Sequence, residues 1–177
     1  MFKVRNAKLT DANAIYNIWA AGWKYAYAKI LSQEFLAHYV NDTIVEEYIK
    51  RFPKTLREET KKGKIFLVLC SNNKVVGFVY GGLPSLQKYK CDCELDTMYL
   101  NTEYIGMGVG KLLFQQFAKR LKARGASTLG LWCFSDNDSI GFYRKMGGVI
   151  IDYQRNTKIE NVLVAYIKFD IDEVLKK

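Results

Sequence analysis

Along the chain, apolar positions change period repeatedly, and each change marks an element. Residues 2 to 8 include Lys3-Val4-Arg5-Asn6-Ala7 and predict a starting or edge strand. Thr10 or Asp11 can cap a helix whose apolar positions Ile15, Ile18 and Trp19 recur at helical spacing, and Gly22 is expected to interrupt it. A second helical segment is expected from Ser32, with Phe35, Leu36 and Tyr39 on one side. Thr43-Ile44-Val45-Glu46 reads as a capping box, followed by the stripe Tyr48, Ile49 and Phe52, with Pro53 ending or bending the element. Lys64 to Cys70 and Lys74 to Tyr80 are β-rich and joined by Ser71-Asn72-Asn73, a hairpin signature.

The second half alternates strand and helix. Residues 91 to 100 predict a strand. Residues 108 to 124 predict a helix with Leu112, Leu113, Phe117 and Leu121 inward and Gly125 at its C-cap. A strand over Ser127 to Cys133, a short helix over 137 to 146 closed by Gly147-Gly148, and strands near Val149–Gln154 and Val162–Phe169 complete the order. The order β-αα-β-β-β-α-β-α-β-β implies antiparallel neighbours first and then one parallel pair through a βαβ crossover, an α/β fold. On the strand over 91 to 100, strict alternation puts Asp92, Glu94, Asp96 and Met98 on one face and Cys91, Cys93, Leu95 and Thr97 on the other. Three carboxylates on one face suggest a site for an ammonium group, with pKa values raised by mutual repulsion, or simply a solvated strand face.

Composition narrows the class. The 177 residues are 49% apolar with only two prolines, which suits one compact domain over residues 1 to 177. Neither a membrane-length apolar run nor a signal-type N-terminus is present in the sequence, so a cytoplasmic location without membrane association is expected. Cys70, Cys91, Cys93 and Cys133 fall in strand-like segments and read as buried, reduced thiols rather than as disulfides or metal ligands. The net charge of +9 is spread without a basic block, so it points to an anionic cofactor or a solvated surface rather than to nucleic acid. The single histidine, His38, has no metal-ligand set around it.

Candidate chemistry concentrates around Gly106-Met107-Gly108-Val109-Gly110. These residues follow a strand and open a helix, leaving main-chain N–H groups bare where the helix dipole favours an anion. A P-loop is excluded because Ile105 stands at its first glycine position and Leu112 at its Ser/Thr position. A dinucleotide fingerprint is excluded because Lys111 occupies its third glycine position. The run Ile105–Gly110 instead resembles the acetyl-CoA loop of the GNAT superfamily of N-acetyltransferases, Gln/Arg-x-x-Gly-x-Gly/Ala, with Ile105 replacing the usual Gln or Arg. Asn137-Asp138-Ser139-Ile140-Gly141-Phe142-Tyr143-Arg144-Lys145-Met146-Gly147 is similar to a second block of that family. Phe2–Ala7 with Thr10-Asp11 is similar to its first strand and helix cap.

The resemblance implies the GNAT fold, a mixed and mostly antiparallel sheet flanked by helices, whose two parallel strands splay apart around the cofactor. It implies acetyl-CoA as co-substrate and transfer of acetyl to a primary amine of a small molecule by direct attack in a ternary complex. Alternatives are a protein N-terminal or lysine acetyltransferase and a non-catalytic acyl-CoA-binding module. By the same resemblance, the main chain of Met98, Tyr99 and Leu100 holds pantetheine, and the loop Ile105, Gly106, Met107, Gly108, Val109, Gly110 and Lys111 wraps the pyrophosphate. Asn137 contacts the pantetheine amides or, equally, caps its own helix. Tyr143 protonates the departing sulfur or is a core aromatic. Glu94 is the general base, with Asp96 as its understudy and a substrate contact. Trp23-Lys24-Tyr25-Ala26-Tyr27 resembles a segment found in a subset that includes polyamine acetyltransferases. Trp23 and Tyr27 are therefore pocket candidates beside the plain reading of aromatic core. The resemblance also allows a homodimer through the C-terminal strands.

Overall fold

The computed structural model describes residues 1–83 and 87–177. The strands are β1 (Phe2–Asn6), β2 (Ile65–Ser71), β3 (Lys74–Gly82), β4 (Cys93–Leu100), β5 (Thr128–Phe134), β6 (Val149–Asn156) and β7 (Val162–Asp170). The helices are α1 (Ala12–Tyr27), α2 (Gln33–Tyr39), α3 (Asp42–Lys61), α4 (Val109–Lys122), α5 (Ser139–Lys145) and α6 (Ile171–Lys176). One sheet runs β1-β2-β3-β4-β5-β7-β6, and β4–β5 is its parallel pair. Among the described residues no helix is long and apolar enough to cross a membrane.

Two cores form, one on each face of the sheet. Leu113, Phe114, Phe117 and Leu121 of α4 pack with Leu67, Leu69, Leu129, Ile167 and Phe169, joined by Tyr143 of α5, its C-cap Met146 and Val174 of α6. The opposite face carries α1 to α3 through Ile15, Ile18, Trp19, Trp23, Leu36 and Phe52. The spacing of these positions is the helical period legible in the sequence.

Several boundaries differ from expectation. Helix α1 continues through Gly22 because the glycine serves a close approach: a Cβ there would lie 2.4 Å from Cδ1 of Tyr99. Helix α3 starts two residues earlier than its capping box suggests, with Asn41 Oδ1 accepting from Ile44 N at 3.1 Å. It also continues past exposed Pro53, because Phe52 and Leu56 keep its apolar stripe packed. Helix α6 was not expected; Asp170 caps it, accepting from the N–H groups of Asp172 and Glu173. The hairpin turn holds Asn72 and Asn73 at φ of 47° and 65°, the left-handed conformation such a two-residue turn demands.

Strict alternation along β4 fails at one residue. Tyr80 pairs with Thr97 and Gly81 with Leu95, so Asp96 has no opposite partner and forms a β-bulge. The extra residue reverses the side-chain parity beyond it. Cys93, Leu95, Met98 and Leu100 therefore all face the α4 side, while Tyr99 faces α1. Met98 does not share a face with Glu94. Cys91 lies before the strand and packs with Tyr89 and Tyr166, so the thiols of Cys91 and Cys93 belong to different clusters rather than to one strand face. All four cysteines are buried and free.

Asp92 closes the start of the parallel pair. Its Oδ2 accepts from Ser127 N, Thr128 N and Thr128 Oγ1 at 2.9, 2.8 and 2.9 Å. The N–H groups of Ser127 and Thr128, then the Thr128 hydroxyl, hold this carboxyl below its usual value, opposite to the rise expected from repulsion. A depressed folded pKa means the stabilisation is complete above the unfolded value of about 4 and disappears as pH falls through the folded value. Asp92→Ala should therefore cost about 1–2 kcal/mol at pH 7, after allowance for its exposure, and progressively less as the medium is acidified. Urea titrations of both proteins across that pH range check this.

Candidate active site

The parallel pair is short, and its ends are what make a site. Strands β4 and β5 pair only at Cys93–Leu129, Glu94–Gly130 and Leu95–Leu131, although β4 runs on to Leu100 and β5 to Phe134. Past Leu95 the two strands part, leaving one edge of Asp96–Leu100 and one edge of Trp132–Phe134 unpaired with each other. The crossover helix α4 starts beyond the open end of β4, and a gap of this kind admits an extended ligand with main-chain groups on both walls.

The loop before α4 fits an anion. Gly106 and Gly108 take φ of +84° and +78°, and nothing lies within 4 Å of a Cβ built on either. The N–H groups of Gly106, Gly108, Val109, Gly110 and Lys111 donate to no acceptor among the described residues, whereas those of Ile105 and Met107 are taken by Thr102 O and Tyr104 O. Successive bare N–H groups at the start of a 14-residue helix form the concave donor set that suits a pyrophosphate. Side chains add little: Ile105 and Met107 are 47% and 61% exposed, and Lys111 Nζ meets the main-chain oxygen of Lys177. Gly108→Ala should weaken coenzyme A binding roughly tenfold, because the left-handed residue costs a Cβ on the order of 1–2 kcal/mol and the loop can relax only by turning its donors away. Calorimetric titration checks this, with the melting temperature expected to move little at so exposed a turn.

Three phenols and a thiol gather where the strands part. Tyr27 Oη lies 3.1 Å from Tyr99 Oη, tying α1 to β4. Burial pushes the Tyr99 phenol well above its ordinary value, and nearby Tyr27, Tyr143 and Cys133 add to the rise. Burial raises Tyr27 to about 12 and the Cys133 thiol to about 12. Tyr143 is 8% exposed on α5, its ring flanked edge-on by Phe114, Phe142 and Phe169. Burial, then the proximity of Cys133 and Tyr27, raises its phenol far above the ordinary value, so the proton stays on oxygen at any physiological pH. The Tyr143 hydroxyl makes no hydrogen bond among the described residues, in contrast to Tyr27 and Tyr99. Asn137, 7% exposed, accepts from Ser139 N at 2.8 Å through Oδ1, so its carboxamide oxygen organises the start of α5 while Nδ2 keeps its donors.

The carboxylates of Asp92, Glu94 and Asp96 do not form one patch. Asp92 clamps β5, and Asp96, on the bulge, is ion-paired with Lys64. Burial raises the Asp96 carboxyl against the pull of Lys64, with Glu94 and Glu59 contributing. Glu94 is different. It is 5% exposed, one pair short of the point where the strands part, and accepts a hydrogen bond from Tyr166 Oη at 2.9 Å. Tyr166 belongs to β7 and reaches Glu94 by crossing over Gly130 of β5, where a Cβ would lie 2.0 Å from its hydroxyl.

Sequence reasoning missed the surroundings of Glu94. Tyr166 stacks on Tyr89 with centroids 3.8 Å apart, and Trp132 stands edge-on to both. Tyr89 Oη in turn donates to Asp152 at 2.7 Å. The only local signal was the aromatic content of β5 and β7. Trp23, a pocket candidate beside the plain reading of aromatic core, is buried between the rings of Trp19, Tyr27 and Tyr39 on the α1 side. Among the described residues no group of His, Cys, Asp and Glu gathers to hold a metal.

Comparison with known proteins agrees with this architecture. The sequence profile of the Acetyltransferase (GNAT) family matches residues 14–148. Spermidine N(1)-acetyltransferase of Thermoplasma acidophilum is 25% identical over 152 residues, covering 85% of this chain and 89% of that protein. The [ribosomal protein bS18]-alanine N-acetyltransferase of Haemophilus influenzae is 28% identical over 102 residues, 58% of this chain and 66% of its own length. In fold, the chain is similar to PaiA N-acetyltransferase from Thermoplasma acidophilum, solved in complex with coenzyme A. The TM-score is 0.75 at 21% identity, over 96% of this chain and 99% of that one.

Proposed function

The chain belongs to the acetyltransferase (GNAT) family, and from that premise we propose that it acetylates the primary amine of a small molecule, with acetyl-CoA as donor, by direct attack in a ternary complex. The observation that carries this reading is the parting of β4 and β5 after Leu95 and Leu131, with Glu94 at its closed end and Tyr143 beside its open part. Acetyl-CoA supplies the acetyl group as an activated thioester. The bare N–H groups of Gly106 and of Gly108 to Lys111 bind its pyrophosphate, and the main-chain edge of Met98 to Leu100 that faces away from β3 orients the pantetheine arm.

Glu94 takes up a proton from the ammonium form of the acceptor, since only a neutral amine attacks. Tyr166 fixes the direction of that carboxylate. Trp132, half-buried and edge-on to the stacked pair Tyr89–Tyr166, is the ring of this cluster that can meet a cation that must lose water. Tyr143 keeps its proton on Oη and delivers it to the departing sulfur. Cys133, held as a thiol, is a poor nucleophile, which supports direct attack over an acyl-enzyme route. Similarity to the Thermoplasma spermidine enzyme favours a small amine.

The test is steady-state turnover with acetyl-CoA against two acceptor sets, polyamines and peptides with an N-terminal alanine. Faster turnover of at least one polyamine supports the proposal. A clear preference for the peptides would replace it with protein N-terminal acetylation, the activity carried by the Haemophilus relative. Tight coenzyme A binding without turnover of either set would leave an acyl-CoA-binding module.

A further inference from the structure

At the far end of α4 from the glycine loop, about 20 Å along the helix axis, lies a cavity of about 770 Å³ that the acetyl-transfer reading does not use. Its apolar lining includes the half-buried Leu56 and Phe66, with the exposed Leu9 at its edge. Its rim is basic. Arg57 and Lys61 come from the last turns of α3, Arg120 and Arg124 from the end of α4 and its exit, and Lys64 from the start of the hairpin. No carboxylate lines it among the described residues.

Four of these cations have no acidic partner among the described residues. Arg120 Nη1 donates to Asn6 Oδ1 at 3.2 Å and Arg124 Nη1 to the Gly63 main-chain oxygen at 2.5 Å, while Arg57 and Lys61 make no ion pair. Lys64 alone is neutralised, by Asp96. The carboxylates on neighbouring turns are engaged elsewhere: Glu58 with Lys54, Glu59 with Lys62 and Tyr80, Asp11 with Arg5, and Asp172 with Lys122. The C-terminal ends of α3 and α4 both approach here, and their dipoles offer about half a negative charge each. Four cations against roughly one unit of dipole charge leave about three positive charges around one concavity. Structural capping of two helix ends accounts for a part of this charge but not for the rest.

We infer that this cavity is a second ligand site, for a small organic phosphate whose apolar portion rests on Leu56 and Phe66. Three guanidiniums and an ammonium match a dianion with three terminal oxygens better than a single carboxylate, because guanidinium forks pair with phosphate oxygens two at a time. The volume lies within the range of small-molecule pockets, and the apolar lining adds what an inorganic ion cannot use. The inference does not depend on the acetyl-transfer reading, since no residue of the gap or of the glycine loop takes part.

Phenyl phosphate is the probe, titrated calorimetrically into the whole protein with and without saturating coenzyme A. One saturable site, unaffected by coenzyme A, is expected, with inorganic phosphate and phenol each binding at least tenfold more weakly. Arg57→Gln combined with Lys61→Gln should weaken phenyl phosphate binding at least tenfold, and both positions are exposed, so folding is retained. Lys29→Gln combined with Lys158→Gln removes the same charge from exposed positions elsewhere and should change the affinity by less than twofold. Competition by coenzyme A, equal loss in both double variants, equal binding of inorganic phosphate, or no binding to the unaltered protein would each overturn the inference.

Discussion

Tyr143→Phe should lower kcat with acetyl-CoA about a hundredfold while leaving the KM for acetyl-CoA and the melting temperature close to those of the unaltered protein. The separation follows from how the side chain is held. Its ring is fixed by Phe114, Phe142 and Phe169, and phenylalanine keeps all of those contacts. Its hydroxyl has no hydrogen-bond partner among the described residues, so removing it strands no donor or acceptor in the fold. What is lost is a proton that burial holds on oxygen beside the place where the strands part. A defect confined to kcat assigns the proton to the departing sulfur. If kcat is unchanged, Tyr143 is a core aromatic and the donor must be sought elsewhere, first at the Tyr27–Tyr99 hydroxyl pair.

Gly130→Ala should cost about 3 kcal/mol of stability, a fall in melting temperature of about 10 °C for a domain of this size. The added Cβ would lie 2.0 Å from Tyr166 Oη and 2.5 Å from Cζ, and Tyr166 is wholly buried against Tyr89 and Trp132, with little room to retreat. Turnover should fall as well, because the hydroxyl that directs Glu94 is displaced. Tyr166→Phe separates the two effects. It keeps the packed ring and removes only the 2.9 Å hydrogen bond, so it should retain most of the stability and still lower kcat, with KM for acetyl-CoA unchanged. If Tyr166→Phe turns over normally, Glu94 is not oriented by this bond and its part as base loses its support. Equilibrium unfolding and steady-state kinetics on the same preparations supply both measurements.

The order of elements was legible in the sequence because it rests on local properties. β-rich runs joined by Ser71-Asn72-Asn73 gave β2 and β3, period-3.6 stripes gave α1 and α4, and the glycines at 106 and 108 sit where only a residue without a side chain accepts a positive φ cheaply. The same locality explains the partial failures. Gly22 carries the signal of a helix break, yet its absent side chain makes room for Tyr99, which lies 77 positions further on. The cap of α6 was present as Asp170 followed by Glu173, but the six-residue helix holds mainly by docking Ile171 and Val174 into the core around α4.

The site itself was decided in three dimensions. A single unpaired residue at Asp96 reverses the faces of β4, and nothing in composition or period announces it, because a bulge is a property of two strands and not of one. That reversal turns Met98 and Leu100 toward α4 and Tyr99 toward α1, so an alternation count that is correct from Cys93 to Leu95 gives the wrong face for Met98. Tyr166 meets Glu94 across 72 positions of chain, over a glycine on a third strand, and the basic cavity joins the ends of two helices that are distant in sequence. The sequence by itself determined which segments become strands and helices and where an anion can be bound by main chain. Which charged and aromatic side chains come to share a site was left to the packing of the sheet, since backbone conformation is set over a few residues and side-chain encounter over the whole fold.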